Sequence, residues 1–330
     1  MKTPTILVSP DSFKRTFSSA DVINHIMQGI NHLGGEAIPC PVADGGEGTT
    51  DALSHALAPR KVCIRSHNPW GSPIIAEFGL TDNGIALVDL AFASGLTLVH
   101  DGERDPMAAS TYGTGELIAA AISHGAHTVL IAAGGSATTD GGTGAIEAIE
   151  KSGGVRDTQL VVLSDVRTPF EQAAEVFGRQ KGANDKEIEA LTARLKQQAT
   201  AFPKNPLGVP RTGAAGGFSG GMWAQYDAQL VSGAEFVLDT IGFEQLLETV
   251  DAVVVGEGRL DSQTGEGKII DSILGRVAMQ RPQLPIFAVV GSIDKNLGSY
   301  AENFSQVLVA STSLDLKLAG EQIVKILKLS

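Results

Sequence analysis

Apolar residues in this chain recur in two spacings: short uninterrupted runs, and longer stretches in which they return every three to four positions. The runs at residues 5–9, 37–42, 128–132, 161–164, 252–255, 286–290 and 307–310 predict strands, those at 5–9 and 128–132 buried. The helical spacing predicts helices over residues 49–57, 115–124, 243–248 and 269–279, a closing helix, and one from Ser18 or Ser19 as N-cap to about residue 33. Gly134-Gly135-Ser136 is expected to turn directly into a helix reaching about residue 152, and residues 185–201 read as a polar helix with Ile188, Leu191 and Leu195 on its inner face. Between these elements the spacing changes to alternation at residues 61–65, 74–80 and 85–90, punctuated by Asn68-Pro69-Trp70-Gly71 and Asp82-Asn83-Gly84. Asn-Gly between alternating segments predicts a hairpin.

Alternating strands and helices at both chain ends imply one parallel sheet assembled from both ends. With 330 residues, more than one core comfortably serves, we expect an α/β fold with a discontinuous Rossmann-like domain (residues 1–60 and 234–330) and an inserted second α/β domain (residues 61–233). The cleft between the two domains is the expected site. A net charge of -12 argues against a nucleic-acid or anionic-membrane partner, since basic surface drives those interactions. Cys40 and Cys63, the only cysteines, exclude a disulfide framework and a four-Cys metal site, and both are read as buried packing residues. The first ten residues lack the apolar region of a signal peptide and no window approaches ~18 uninterrupted apolar residues, so a cytoplasmic protein is expected.

Candidate chemistry gathers where predicted strands end. Asp11-Ser12-Phe13-Lys14 and Ser164-Asp165 place acid beside hydroxyl residues, and Asp44-Gly45-Gly46-Glu47-Gly48, Gly134 to Gly142 and Gly256-Glu257-Gly258-Arg259-Leu260-Asp261 join Gly to acid or hydroxyl residues. In parallel sheets such tips line the ligand crevice. Gly134 and Gly135, with the hydroxyls of Ser136, Thr138 and Thr139, fit phosphate contact, because glycine lets backbone amides approach an anion. Taken alone, the same loop is a plain strand-to-helix turn. Neither a dinucleotide fingerprint nor a Walker A pattern is present. Asp44, Glu47, Asp165, Glu257 and Asp261 are candidates for Mg²⁺, with capping or turn formation as the alternative for each. Phosphoryl transfer to a hydroxyl would also need cations, for which Lys14, Lys181, Arg259 and Lys268 are placed, although a lone lysine is ordinarily a solvated surface group.

At these loops the sequence resembles the bacterial glycerate kinase family, the type forming 2-phosphoglycerate. The resemblance runs nearly end to end through Pro10 to Lys14, Ala43 to Thr49, Ala93-Ser94-Gly95-Leu96, Ser110 to Glu116, Gly134 to Thr138, Val176 to Ala183, Gly213 to Gly217 and Gly256 to Thr264. It implies a two-domain kinase using ATP and Mg²⁺ on D-glycerate. Asp165, Lys14 and Lys268 become the expected catalytic groups, and Asp11, Ser12, Asp44, Glu47 and Arg259 the substrate contacts. Gly134, Gly135, Ser136 and Thr138 are expected on phosphate, and Asp44, Glu257 and Asp261 on metal. The chain departs from the family where a Cys-Asp-Val-Asp-Asn-Pro-Leu stretch reads Ser164-Asp165-Val166-Arg167-Thr168-Pro169-Phe170, and it is shorter between Gly154 and Leu160. Arg167 leaves open a catalytically impaired sensor of a small acid or nucleotide, or a kinase for another small hydroxy acid.

Overall fold

The computed structural model describes residues 2–13, 16–46, 48–98, 105–260, 269–294 and 297–329. In chain order the elements are β1 (Thr5–Pro10), α1 (Ser19–His32), β2 (Glu36–Pro39), α2 (Thr49–Leu57), β3 (Arg60–His67), β4 (Pro73–Leu80), β5 (Ile85–Asp89), α3 (Ala91–Ser94), α4 (Tyr112–Ser123), β6 (Thr128–Ala132), α5 (Thr143–Lys151) and β7 (Gln159–Leu163). There follow α6 (Ala173–Phe177), α7 (Asp185–Ala199), α8 (Phe218–Tyr226), β8 (Gln229–Val231), α9 (Gly233–Thr240), α10 (Phe243–Thr249), β9 (Ala252–Glu257), α11 (Ile269–Gln280), β10 (Ile286–Val290), β11 (Gln306–Val309) and α12 (Ser313–Leu329). Among the described residues no helix is long and apolar enough to cross a membrane.

The chain forms two compact units. The first comprises Met1–Asp44, Asp51–Ala56 and Ala234–Ser330, the second Gly45–Thr50 and Leu57–Gly233. The second therefore begins ahead of residue 61, because Arg60 already pairs with Leu80 in the β3–β4 ladder.

The first unit holds a sheet in the order β11-β10-β9-β1-β2, with every pair parallel. Its central strands β1, β9 and β10 are largely apolar because successive side chains enter opposite cores, whereas the edge strands β2 and β11, expected as apolar runs like the others, carry Glu36 and Gln306 and are only partly buried. Ile6, Val8, Val254 and Val289 join α1 and α12 on one face, whereas Leu7, Val253, Val255 and Val290 join α9, α10 and α11 on the other. Helix α1 starts where expected: Ser18 Oγ accepts the Asp21 amide and the Asp21 carboxylate accepts the Ser18 amide, a reciprocal cap. Its packing on α12 is backbone to backbone. A Cβ on Gly29 would lie 1.9 Å from the Lys317 carbonyl oxygen, and one on Gly320 would lie 2.2 Å from that of Ile26.

The second unit has a six-stranded mixed sheet, β3-β4-β5-β6-β7-β8, antiparallel through β5 and parallel from β5 to β8. The hairpin at Asp82-Asn83-Gly84 forms, closed by the Thr81 amide on the Ile85 carbonyl at 2.9 Å. Helix α7 begins at the Asn184 cap, which pairs reciprocally with Glu187, and buries Leu191 and Leu195 against Phe170, Ala173 and Ala174.

Two expectations are corrected here. No helix follows Gly134-Gly135-Ser136 directly; α5 starts at Thr143, because Gly135, Gly141 and Gly142 have φ of +67°, +64° and +77°, outside the right-handed helix. Cys63 is exposed, since β3 alternates and Val62 takes the inner position; Cys40 is buried, and desolvation pushes its thiol up to about 11.

Candidate functional site

The direction in which successive strands are added to the first sheet reverses once, although all of them run parallel. From β1 the chain steps to β2 on one side, then resumes with β9, β10 and β11 on the other, so the loops after β1 and β9 diverge and leave a crevice at the strands' carboxyl ends. A cleft of about 410 Å³ occupies that position, within the size range of small-molecule sites. Asp11, Ser12 and Thr16 line it from the loop after β1, Asp44 from beyond β2, Glu257 and Arg259 from β9 and its loop, and Ser292 and Ser311 from beyond β10 and β11.

Backbone contacts shape this cleft. Asp11 N–H donates to the Gly256 carbonyl at 2.9 Å, and the Asp11 carboxylate accepts the Ser12 amide at 2.6 Å. The loops after β9 and β10 are laced together by Leu260 N–H on Ser292 O and Asp294 N–H on Leu260 O, both at 2.9 Å. Glycine is required at Gly291 for this approach, where a Cβ would meet the Gly258 carbonyl oxygen at 2.6 Å. At the rim, Arg259 pairs with Asp294 at 3.0 Å. The described lining thus carries the carboxylates of Asp11, Asp44 and Glu257 against one guanidinium, so an anionic ligand would rely on Arg259 and on cations brought to the carboxylates.

A second polar centre lies within the second unit, where β6, β7 and β8 end. Asp165 follows β7; its Oδ1 accepts Ser232 Oγ at 2.6 Å and stands 3.7 Å from Arg211 Nη1, which donates to the Ser164 carbonyl at 2.5 Å. Beside it, Gly134 N–H donates to Gly45 O at 3.1 Å. Ser136 Oγ accepts the Thr138 amide at 3.1 Å and shares a hydrogen bond with Thr138 Oγ1 at 2.9 Å, and Thr138 is wholly buried. Behind this loop lies Lys181, expected as a surface cation but 4 % exposed, donating to Thr138 O at 2.5 Å. Burial pushes its ammonium down to about 7, with Asp140 opposing the shift.

Of the residues singled out from the sequence, Asp11, Ser12, Asp44, Glu257 and Arg259 share the cleft of the first unit. Gly134, Gly135, Ser136, Thr138 and Asp165 belong to the second unit. Lys14, Glu47, Asp261 and Lys268 lie outside the described residues. The sequence reading did not single out Ser232, Arg211, Arg194 or Asp140. Ser232 is a hydroxyl just past a strand, so it carried the signal used elsewhere, but β8 had not been predicted. Arg194 holds the loop by donating to Met107 O at 2.8 Å and Thr139 O at 2.6 Å, and desolvation lowers its pKa.

Magnesium commonly takes one or two carboxylates together with water and phosphate oxygens. Asp44 and Glu257 fit that pattern: both line one cleft, while among the described residues no group of three or more potential ligands stands ready to hold a metal alone.

The model of the glycerate kinase family matches residues 6–153 and 149–325. The chain belongs to the glycerate kinase family. It is 34% identical to the glycerate kinase of Halalkalibacterium halodurans, over 91% of this chain and 88% of that one. It is 32% identical to the glycerate 2-kinase of Escherichia coli K12, covering 89% of this chain and 86% of the relative. A crystal structure from Salmonella typhimurium LT2, assigned as glycerate kinase 2, superposes with a TM-score of 0.82 at 30% identity and 99% coverage of both chains. As a family member the chain is an enzyme, a kinase, and its mixed α/β architecture is that of this relative.

Proposed function

We propose that the enzyme transfers the γ-phosphoryl group of ATP to the C2 hydroxyl of D-glycerate, giving ADP and 2-phosphoglycerate in the cytoplasm. The observation that carries this reading is the gathering of Asp11, Ser12, Asp44, Glu257 and Arg259 in one cleft at the strand switch point of a glycerate kinase family member. The name of the Escherichia coli relative supports the 2-position. In the transfer, the glycerate oxygen bonds to the γ-phosphorus as the bond to the β–γ bridging oxygen breaks, and the hydroxyl proton passes to a carboxylate. Asp165, the acid at the tip of β7, is that acceptor. Arg259 receives the glycerate carboxylate, since guanidinium binds carboxylates through paired hydrogen bonds. Asp11, Ser12 and Glu47 position the substrate, and Lys14 and Lys268 supply charge to the transferred group.

Gly134, Gly135 and Ser136 contact phosphate through their loop, with Thr138 buried as its support. Asp44, Glu257 and Asp261 would hold Mg²⁺, which when bound neutralises phosphate charge.

The test is coupled ADP release with D-glycerate and Mg·ATP, with the product's phosphate position read by NMR. Turnover to 2-phosphoglycerate, lost in Asp165→Asn, is expected. Turnover only with a different hydroxy acid would overturn the substrate. Binding of glycerate or nucleotide without transfer would overturn the activity and favour a sensor, the reading that Arg167 leaves open.

A further inference from the structure

Arg211 occupies a backbone conformation that ordinary side chains avoid. Its φ is +72°, where an L-residue brings Cβ against its own backbone and glycine does not. The conformation is imposed from both sides. Arg211 N–H donates to Arg167 O at 3.2 Å, and Ser219 Oγ donates to Arg211 O at 2.6 Å. Two residues on, Gly213 N–H donates to Thr168 O at 2.9 Å, and a Cβ there would lie 2.5 Å from Pro169 O. The loop carrying Arg211 is therefore clamped onto residues 164–169, the segment that leaves β7.

A glycine would satisfy that path with less strain, so backbone geometry alone does not account for an arginine. Its side chain does something specific: Nη1 donates to the Ser164 carbonyl at 2.5 Å and stands 3.7 Å from Asp165 Oδ1, the oxygen to which Ser232 Oγ donates at 2.6 Å. The guanidinium holds the peptide before Asp165 and faces its carboxylate, and Ser232 fixes the same oxygen from the loop after β8. Strain in an over-determined loop is characteristic of functional sites.

We propose that Arg211 is a positioning residue for Asp165, holding the carboxylate in the orientation from which it accepts the glycerate proton. The proposal rests on Asp165 having that role. In general terms it exchanges backbone ease for placement of a reacting group, and misplacement of such a group by about 1 Å can cost roughly 100-fold in rate.

Arg211→Gly separates placement from architecture, because it removes the guanidinium and relieves the backbone at once. We expect kcat to fall by about 10- to 100-fold, KM for ATP to stay within about twofold on the same reasoning, and Tm to hold or rise. Arg211→Lys should recover part of kcat, and Ser232→Ala, which loosens the same oxygen without touching the clamped loop, should lower kcat in the same way. Arg211→Gly with wild-type kcat overturns the proposal, and so does a fall in Tm that accounts for the lost activity. Asp165→Asn run in parallel tells the two layers apart. If it turns over normally, the reading of Asp165 fails; if it is inactive while Arg211→Gly is unimpaired, only the role of Arg211 fails.

Discussion

Lys181 offers the sharpest test of the second unit's packing. Its ammonium is buried beneath the loop that carries Ser136 and Thr138, with the Thr138 carbonyl as acceptor, and burial brings its pKa down from 10.5 to about 7. The folded pKa lies below the unfolded one, so between pH 7 and 10.5 the unfolded chain retains a proton that the folded chain has released. Stability from this group is therefore complete above pH 10.5 and is lost as pH falls towards 7, with a limiting slope of about 1.4 kcal/mol per pH unit. Across the whole interval the difference is on the order of 5 kcal/mol, with the opposing pull of Asp140 already contained in the lowered pKa. Lys181→Met keeps the volume and removes the titration. Urea unfolding, followed through Trp70 and Trp223, reports on this unit because both tryptophans belong to it. Wild-type stability should climb relative to Lys181→Met between pH 7 and 9, with Met the more stable at pH 7. Parallel pH profiles for the two proteins would refute the argument.

Two further expectations concern the first unit. Gly29→Ala should cost about 2–3 kcal/mol, since its Cβ would press on the Lys317 carbonyl and the α1–α12 pair cannot separate without opening the core; a chemical melt read by far-ultraviolet circular dichroism checks it. Arg276, buried and bonded to Glu235, Asp239 and Glu244, has its pKa raised, against its own desolvation, by Glu235 and Asp239, so Arg276→Met leaves three acids facing one another. The loss should be about 1–2 kcal/mol at pH 7, discounted for the exposure of the acids, and should shrink in acid as Glu235, held low against its own desolvation by Ser272 and Arg276, protonates, which thermal melts at neutral and acidic pH would show.

What could be read from the sequence follows from how local its cause is. Residues 128–132 and 286–290 coincide with β6 and β10 because strands buried on two faces must be apolar without interruption. Helix α1 was legible through its hydroxyl cap, read as Ser18 or Ser19; Ser18 takes the position and pairs with Asp21, an arrangement settled within four residues. Helix α8 was not. Its Gly220 and Gly221 lower helix propensity, yet a Cβ on Gly220 would lie 2.4 Å from the Phe170 ring and one on Gly221 2.2 Å from Gly141 O, so close packing demands the residues that hide the helix from propensity. Lys181 was read as a surface group for the same reason. The loop that buries it lies some forty residues earlier in the chain, at Thr138.

The cleft residues of the first unit were legible because each follows a strand, but that rule does not separate chemistry from architecture. Asp140 lies in the same Gly-and-acid stretch as Gly134 and Ser136 and satisfies the rule equally well. Its carboxylate accepts the Thr111 amide and hydroxyl, each at 2.8 Å, and the amides of Gly142 and Gly144, each at 3.2 Å. Three of these donors converge on Oδ2 and one on Oδ1, so Asp140 ties the loop to the start of α4 and to the first turn of α5. Around it, Ser94 Oγ meets Thr114 Oγ1 at 2.7 Å and Gly141 N–H donates to Gly216 O at 3.1 Å, which draws three family motifs from distant parts of the chain onto the turn of Asp140 and Gly141. Resemblance in those motifs therefore reflects the demands of packing as well as of phosphoryl transfer.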